Sequence, residues 1–158
     1  MKSLEPQQTT TLSSQLVLAL DLEGTLISTA VSQFPRPGLF EFLERCHEMF
    51  SRVVVFTAVN EPTFRKIAQR LATEGTVPSW FPELSYVRWN GDTKDLTLIP
   101  GAHIDNVFLV DDLSAYVHPG QQANWIEIAP FVPPYDDSDV ELAKVLAELE
   151  KRIGGPRS

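Results

Sequence analysis

With a single cysteine, Cys46, in 158 residues, the chain can form no intramolecular disulfide and no cysteine-based zinc site of its own. Basic residues are also scarce: 13 Lys and Arg stand against 21 Asp and Glu, a formal net charge of −8. An acidic chain gains little from the counterion release that drives binding to nucleic-acid phosphates, so no nucleic-acid partner is expected. No apolar run approaches the roughly 18 residues of a membrane span, and no membrane partner is expected either. Met1–Ser14 is polar and does not read as a signal peptide. The histidines, His47, His103 and His118, are too scattered to suggest a metal triad. Together these features point to a reducing compartment, the cytoplasm or, in a eukaryotic source, the nucleus. Composition leaves the oligomeric state open.

What is present is a globular balance, with 43% hydrophobic and 22% charged residues. Residues 1–14 read as a flexible tail, 15–153 as one domain and 154–158 as a disordered end. Gln15–Leu20 is an apolar run that stops at Asp21, the pattern of a strand buried on both faces. Leu39, Phe42, Leu43, Cys46, Met49 and Phe50 recur at helical spacing, with Pro37 suited to the first turn. Val53–Phe56 predicts a second strand. Asn60 then caps a helix whose apolar face is Phe64, Ile67, Ala68 and Leu71. Residues 75–92 read as irregular, apart from a short strand near Tyr86–Trp89. Asn106–Val110 and Asn124–Ile128 predict two further strands, and Asp139 caps a last helix carrying Val140, Ala143, Leu146, Leu149 and Ile153.

Alternating strands and helices argue for an α/β fold, a Rossmann-like three-layer sandwich around a central parallel sheet. Sites in such sheets form at the carboxyl ends of the strands. Asp21, Thr57 and the pair Asp111/Asp112 each follow a buried apolar run, so one sheet brings them to one edge. Clustered carboxylates repel unless a cation joins them, and their oxygens suit Mg²⁺. A carboxylate can also attack phosphorus and split hydrolysis into two steps. Thr57, ahead of a helix N-terminus, suits phosphate oxygens, and Lys94 supplies positive charge.

These residues resemble a family. Asp21-Leu-Glu-Gly-Thr-Leu26, Val54-Val-Phe-Thr57-Ala58, Lys94-Asp95-Leu96 and Val110-Asp111-Asp112 are similar, in this order, to the four motifs of the haloacid dehalogenase superfamily. With Arg36-Pro37-Gly38-Leu39 they look most like its branch of carboxy-terminal-domain phosphatases and NLI-interacting-factor-like proteins, over roughly residues 15–131. The resemblance implies a Mg²⁺-dependent phosphomonoesterase acting on a phosphorylated protein or small molecule through an aspartyl-phosphate. Asp21 would be nucleophile and metal ligand. Glu23 would bind the metal through its carbonyl and serve as general acid and base. Thr57 and Ala58 would hold phosphate, Lys94 would neutralise nucleophile and phosphate, and Asp111 and Asp112 would complete the metal site.

The usual residue at the second acid is Asp, and here it is Glu23, one methylene longer. That residue is also found in the phosphatase-like subunit of the mitochondrial inner-membrane translocase, a peptide-binding module. It supports a competing reading, a weak or inactive pseudophosphatase that binds peptide or protein. A receiver domain uses similar residues, but there the acidic pair comes first along the chain. Connections this short leave no room for a large cap domain, and the cluster Trp80, Phe81, Tyr86 and Trp89 is a candidate lining for an open site. Cys46 and Arg52 have the spacing of cysteine-dependent phosphatases, yet Cys46 falls on the apolar stripe of a helix, which predicts a buried thiol.

Overall fold

The computed structural model describes residues 15–154. The expected tail 1–14, and residues 155–158 of the expected disordered end, lie outside the described residues. The elements are β1 (Val17–Leu20), α1 (Leu39–Met49), β2 (Arg52–Val55), α2 (Glu61–Thr73), β3 (Ser85–Tyr86), β4 (Val107–Asp111), β5 (Trp125–Glu127) and α3 (Glu141–Gly154). Gly154, expected in the disordered end, is the last residue of α3.

The strands form one five-stranded sheet in the order β3-β2-β1-β4-β5, and the strand pairs run parallel. Strand period two divides its side chains between two cores. Leu18, Leu20, Val53, Val55 and Val110 join one core, together with the apolar faces of α1, α2 and α3. Val17, Ala19, Val54, Phe56, Val107 and Leu109 join the other, where Val87, Leu96 and Ile99 cover them. All three α-helices therefore pack on one face. The opposite face is covered by the segment around residues 87–106, which contains the short 3-10 turns Leu96–Leu98 and Ile104–Asn106. The sheet is still the middle of three layers. Its central strands are buried on both sides, which explains why β1 reads as a continuous apolar run.

Element boundaries follow from local chemistry. The Asn60 side chain accepts the Thr63 N–H at 3.0 Å and caps α2 as expected. α1 starts at Leu39, two residues after Pro37, so Pro37 precedes the first turn: Gly38, at φ 83°, occupies the cap position, where a left-handed backbone favours glycine. Asp139 accepts the Glu141 N–H at 3.0 Å and so caps α3. Among the described helices, none is long and apolar enough to cross a membrane.

Candidate active site

β1 and β2 are neighbours in register, and the ladder runs one residue past each strand, with Phe56 N–H donating to Leu20 O at 2.8 Å. On the other side Asp21 N–H donates to Val110 O at 3.0 Å. Asp21 thus leaves the sheet between the ends of β2 and β4. Ligand atoms of Asp21, Asp111 and Asp112 all lie within 4.8 Å of one another.

Lys94 enters this cluster from the covering segment. Its side chain is fully buried, and its ammonium donates to Asp21 Oδ1 at 2.9 Å and to Asp111 Oδ2. The rings of Tyr116 and Trp89 flank the ammonium, with centroids 4.8 and 5.8 Å away. The Thr25 hydroxyl donates to Asp21 Oδ2 at 2.8 Å, so both oxygens of this carboxylate are held. The Leu113 N–H fixes Asp111 Oδ1 at 2.9 Å.

Three buried or half-buried carboxylates and one ammonium leave an excess of negative charge. Burial pushes Asp21 up to about 6, even though Lys94 opposes the rise. Asp111 also rises to about 6, through burial first and the charge of Asp21 second. Asp112 is raised as well, by burial and by Asp111. For Lys94, burial favours the neutral form, but the charges of Asp21 and Asp111 outweigh it and hold the ammonium protonated above its ordinary range. An all-oxygen donor set with surplus negative charge fits a hard divalent cation, and Asp21, Asp111 and Asp112 are the residues that could hold it.

Tight turn geometry makes the cluster compact. Gly24 has φ 75°, and a Cβ there would lie 2.5 Å from Asp112 Oδ2. Glycine is required both by the left-handed backbone and by the closeness of Asp112. Glu23 sits in the same turn, but its carboxylate is directed away from the three aspartates and accepts the Ala30 N–H at 2.6 Å. Its carboxylate oxygens are not part of the acidic cluster.

Thr57 is buried just beyond β2, and its Oγ1 accepts the Val59 N–H at 3.1 Å. Accepting there leaves the hydroxyl proton free to donate. Thr57 and Ala58 line an open groove of about 640 Å³ together with Asn60, Tyr86, Arg88 and Trp89. The aromatic segment therefore divides. Tyr86 and Trp89 line this groove, whereas Phe81 is buried in the core and Trp80 stacks on His47 elsewhere. Cys46 is fully buried on α1, where burial pushes its thiol up, in keeping with a packing role.

Sequence reasoning noted Arg36 only as part of a motif and missed its job. The side chain is buried, and every N–H of its guanidinium is used. Two bonds of 3.0 Å reach Asp139; others reach the carbonyls of Gly24 at 3.1 Å, Thr25 at 3.3 Å and Ala129 at 2.6 Å. Arg36 thereby ties the turn that carries Glu23, Gly24 and Thr25 to the segment leading into α3. Asp139, expected as a helix cap, is also the partner of this buried cation. His118 lies beside the Lys94 loop, with Nδ1 2.6 Å from Thr93 Oγ1 and Nε2 3.6 Å from Asp95 Oδ2.

Residues 16–157 match the family of NLI interacting factor-like phosphatases. The chain belongs to this family, within the haloacid dehalogenase superfamily. No curated protein matches it in sequence. Among solved structures it is similar to the fission yeast RNA polymerase II CTD phosphatase Fcp1 bound to beryllium fluoride. That match has TM-score 0.56 and 14% identity, over 96% of this chain and 53% of that one. A second structure, of Fcp1 described as an essential RNA polymerase II CTD phosphatase, gives TM-score 0.57 and 17% identity, over 96% and 51%. The chain spans about half the length of these proteins. At such identities they establish the shared fold. Family and fold together make this a phosphatase domain of the haloacid dehalogenase type.

Proposed function

We propose that this domain is a Mg²⁺-dependent phosphomonoesterase that works through an aspartyl-phosphate on Asp21 and acts on a phosphorylated segment of a protein or another bulky substrate. One observation carries the reading: Asp21 stands at the end of the central strand, paired with buried Lys94 and within 4.8 Å of two further carboxylates. The bound cation would supply charge neutralisation for the phosphoryl oxygens. Lys94 keeps Asp21 ionised and oriented while the Thr25 hydroxyl holds its other oxygen. Attack by an Asp21 oxygen forms a P–O bond as the ester oxygen departs. Water then attacks phosphorus, and the Asp21 carboxylate leaves. Thr57 donates its hydroxyl proton to a phosphoryl oxygen.

Glu23 protonates the departing oxygen in the first step and takes a proton from water in the second. Both require its carboxylate to exchange the Ala30 amide for the substrate, because proton transfer needs hydrogen-bond reach. The groove of about 640 Å³ that Thr57 lines is open, which suits a substrate larger than a metabolite.

The decisive test is hydrolysis of a generic aryl phosphate with Mg²⁺ and with chelator, for wild type and Asp21→Asn. Metal-dependent turnover that disappears in the variant is expected. A wild type no faster than Asp21→Asn would favour a second reading, a peptide-binding module without turnover. The restrained Glu23 carboxylate is the observation in its favour. Glu23→Asp then discriminates: rescued turnover would trace the loss to the length of this side chain.

A further inference from the structure

We infer that Trp89 is the specificity-determining residue of this site and selects phosphomonoesters whose phosphate is attached to a flat aromatic group. The inference rests on reading the part of the groove lined by Thr57 as the phosphate position. Three sets of contacts fix the indole. Its Nε1–H donates to Thr57 O at 2.9 Å. Phe56 meets it nearly edge-on, with centroids 5.4 Å apart and planes at 77°. Tyr116 does the same at 5.5 Å and 85°. An aromatic ring held this way is already ordered, so stacking against it costs little further conformational entropy.

Position gives the ring its meaning. One ammonium, that of Lys94, lies 2.9 Å from Asp21 Oδ1 and 5.8 Å from the Trp89 ring centroid. Through its N–H the same indole is bonded to the backbone of Thr57. Trp89 is therefore bonded to the backbone of the phosphate-holding threonine and separated from the nucleophile by the Lys94 ammonium, and part of it lines the groove that Thr57 also lines. The groove offers a second aromatic wall in Tyr86, whose hydroxyl is tied to Val59 O. Arg88, mostly exposed, completes the rim in an ion pair with Glu61.

Phenylphosphonate and methylphosphonate provide a test that needs no turnover, since neither carries an ester bond and they differ only in the group on phosphorus. Their dissociation constants would be measured by ligand-observed NMR titration with Mg²⁺ present. Wild type is expected to bind phenylphosphonate about tenfold more tightly, the scale of one aromatic contact plus the area it buries. Trp89→Leu should erase the preference, and Trp89→Phe, which keeps a ring but loses the bond to Thr57 O, should retain most of it. Thermal melts would confirm that both variants fold; if Trp89→Leu does not, the wild-type ratio and Trp89→Phe decide. Equal binding of the two phosphonates by wild type, or a preference that survives Trp89→Leu, would overturn the assignment. Binding of neither would instead remove the phosphate-site reading, and this inference with it.

Discussion

Replacing Asp112 by asparagine should stabilise the metal-free protein at neutral pH while removing its response to Mg²⁺. Asp112 is the member of the acidic cluster that Lys94 does not contact among the described residues, so the change breaks no ion pair. Asparagine keeps the shape and an acceptor for Thr25, which lies 3.4 Å from Asp112 Oδ1. The magnitude follows from Asp21, which rises from 3.8 to about 6. Such a rise corresponds to ~3 kcal/mol of folding free energy lost when the carboxylate ionises. Burial is the largest cause, and the hydrogen bond with Asp112 a lesser one, so changing this neighbour should recover only part of that, on the order of 1 kcal/mol. For a domain of this size that is about 2–4 °C in Tm. The sign depends on pH. A carboxyl held above its unfolded pKa stabilises the fold below pH 3.8 and loses that contribution as pH rises through about 6. The gain should therefore appear at pH 7.5 in chelator and shrink at pH 5, where Asp21 and Asp111 are largely protonated. Thermal unfolding at both pH values, with chelator and with Mg²⁺, measures all of this. A variant no more stable than wild type at pH 7.5, or equally stabilised at pH 5, would refute the view that charge crowding strains the metal-free site.

Other perturbations test the frame around the site. Arg36→Met leaves Asp139 without its partner and the carbonyls of Gly24, Thr25 and Ala129 without a donor, so urea unfolding should show a loss of about 3–5 kcal/mol. Pairing it with Asp139→Leu should cost less than the sum of the two single changes, because no buried charge is then left alone. Gly24→Ala places a Cβ 2.5 Å from Asp112 Oδ2 on a left-handed backbone. It should weaken Mg²⁺ binding at least about tenfold, read as the concentration needed for half the thermal shift, with a backbone cost of ~1–2 kcal/mol.

What the sequence made legible was the part governed by short-range pattern. Apolar runs ending at Asp21, at Thr57 and at Asp111/Asp112 place three strand ends, and parallel pairing then brings those ends together. The family motifs added Lys94, whose route into the cluster from a loop has no periodicity to reveal it. Less legible were features that depend on contacts distant along the chain. Arg36 and Asp139 are 103 residues apart, and nothing local marks either as buried and paired. The direction of the Glu23 carboxylate is set by an amide seven residues on, within a turn whose path only the folded loop defines. The cover of the second face was not legible in detail either: short 3-10 turns form it. Leu96 and Ile99 supply enough apolar surface there without a longer amphipathic segment.

The Arg36 linkage also orders events in time. During synthesis the strand bearing Asp21, the turn after it and Arg36 itself emerge early, and β4 with Asp111 follows. At that moment the pieces of the acidic cluster all exist, but the guanidinium still lacks Ala129 O and both Asp139 oxygens. Only when the segment leading into α3 folds back does the nucleophile turn gain its anchor. The frame of the nucleophile turn thus depends on residues synthesised long after it, because Ala129 and Asp139 must both be present before the guanidinium has all its partners.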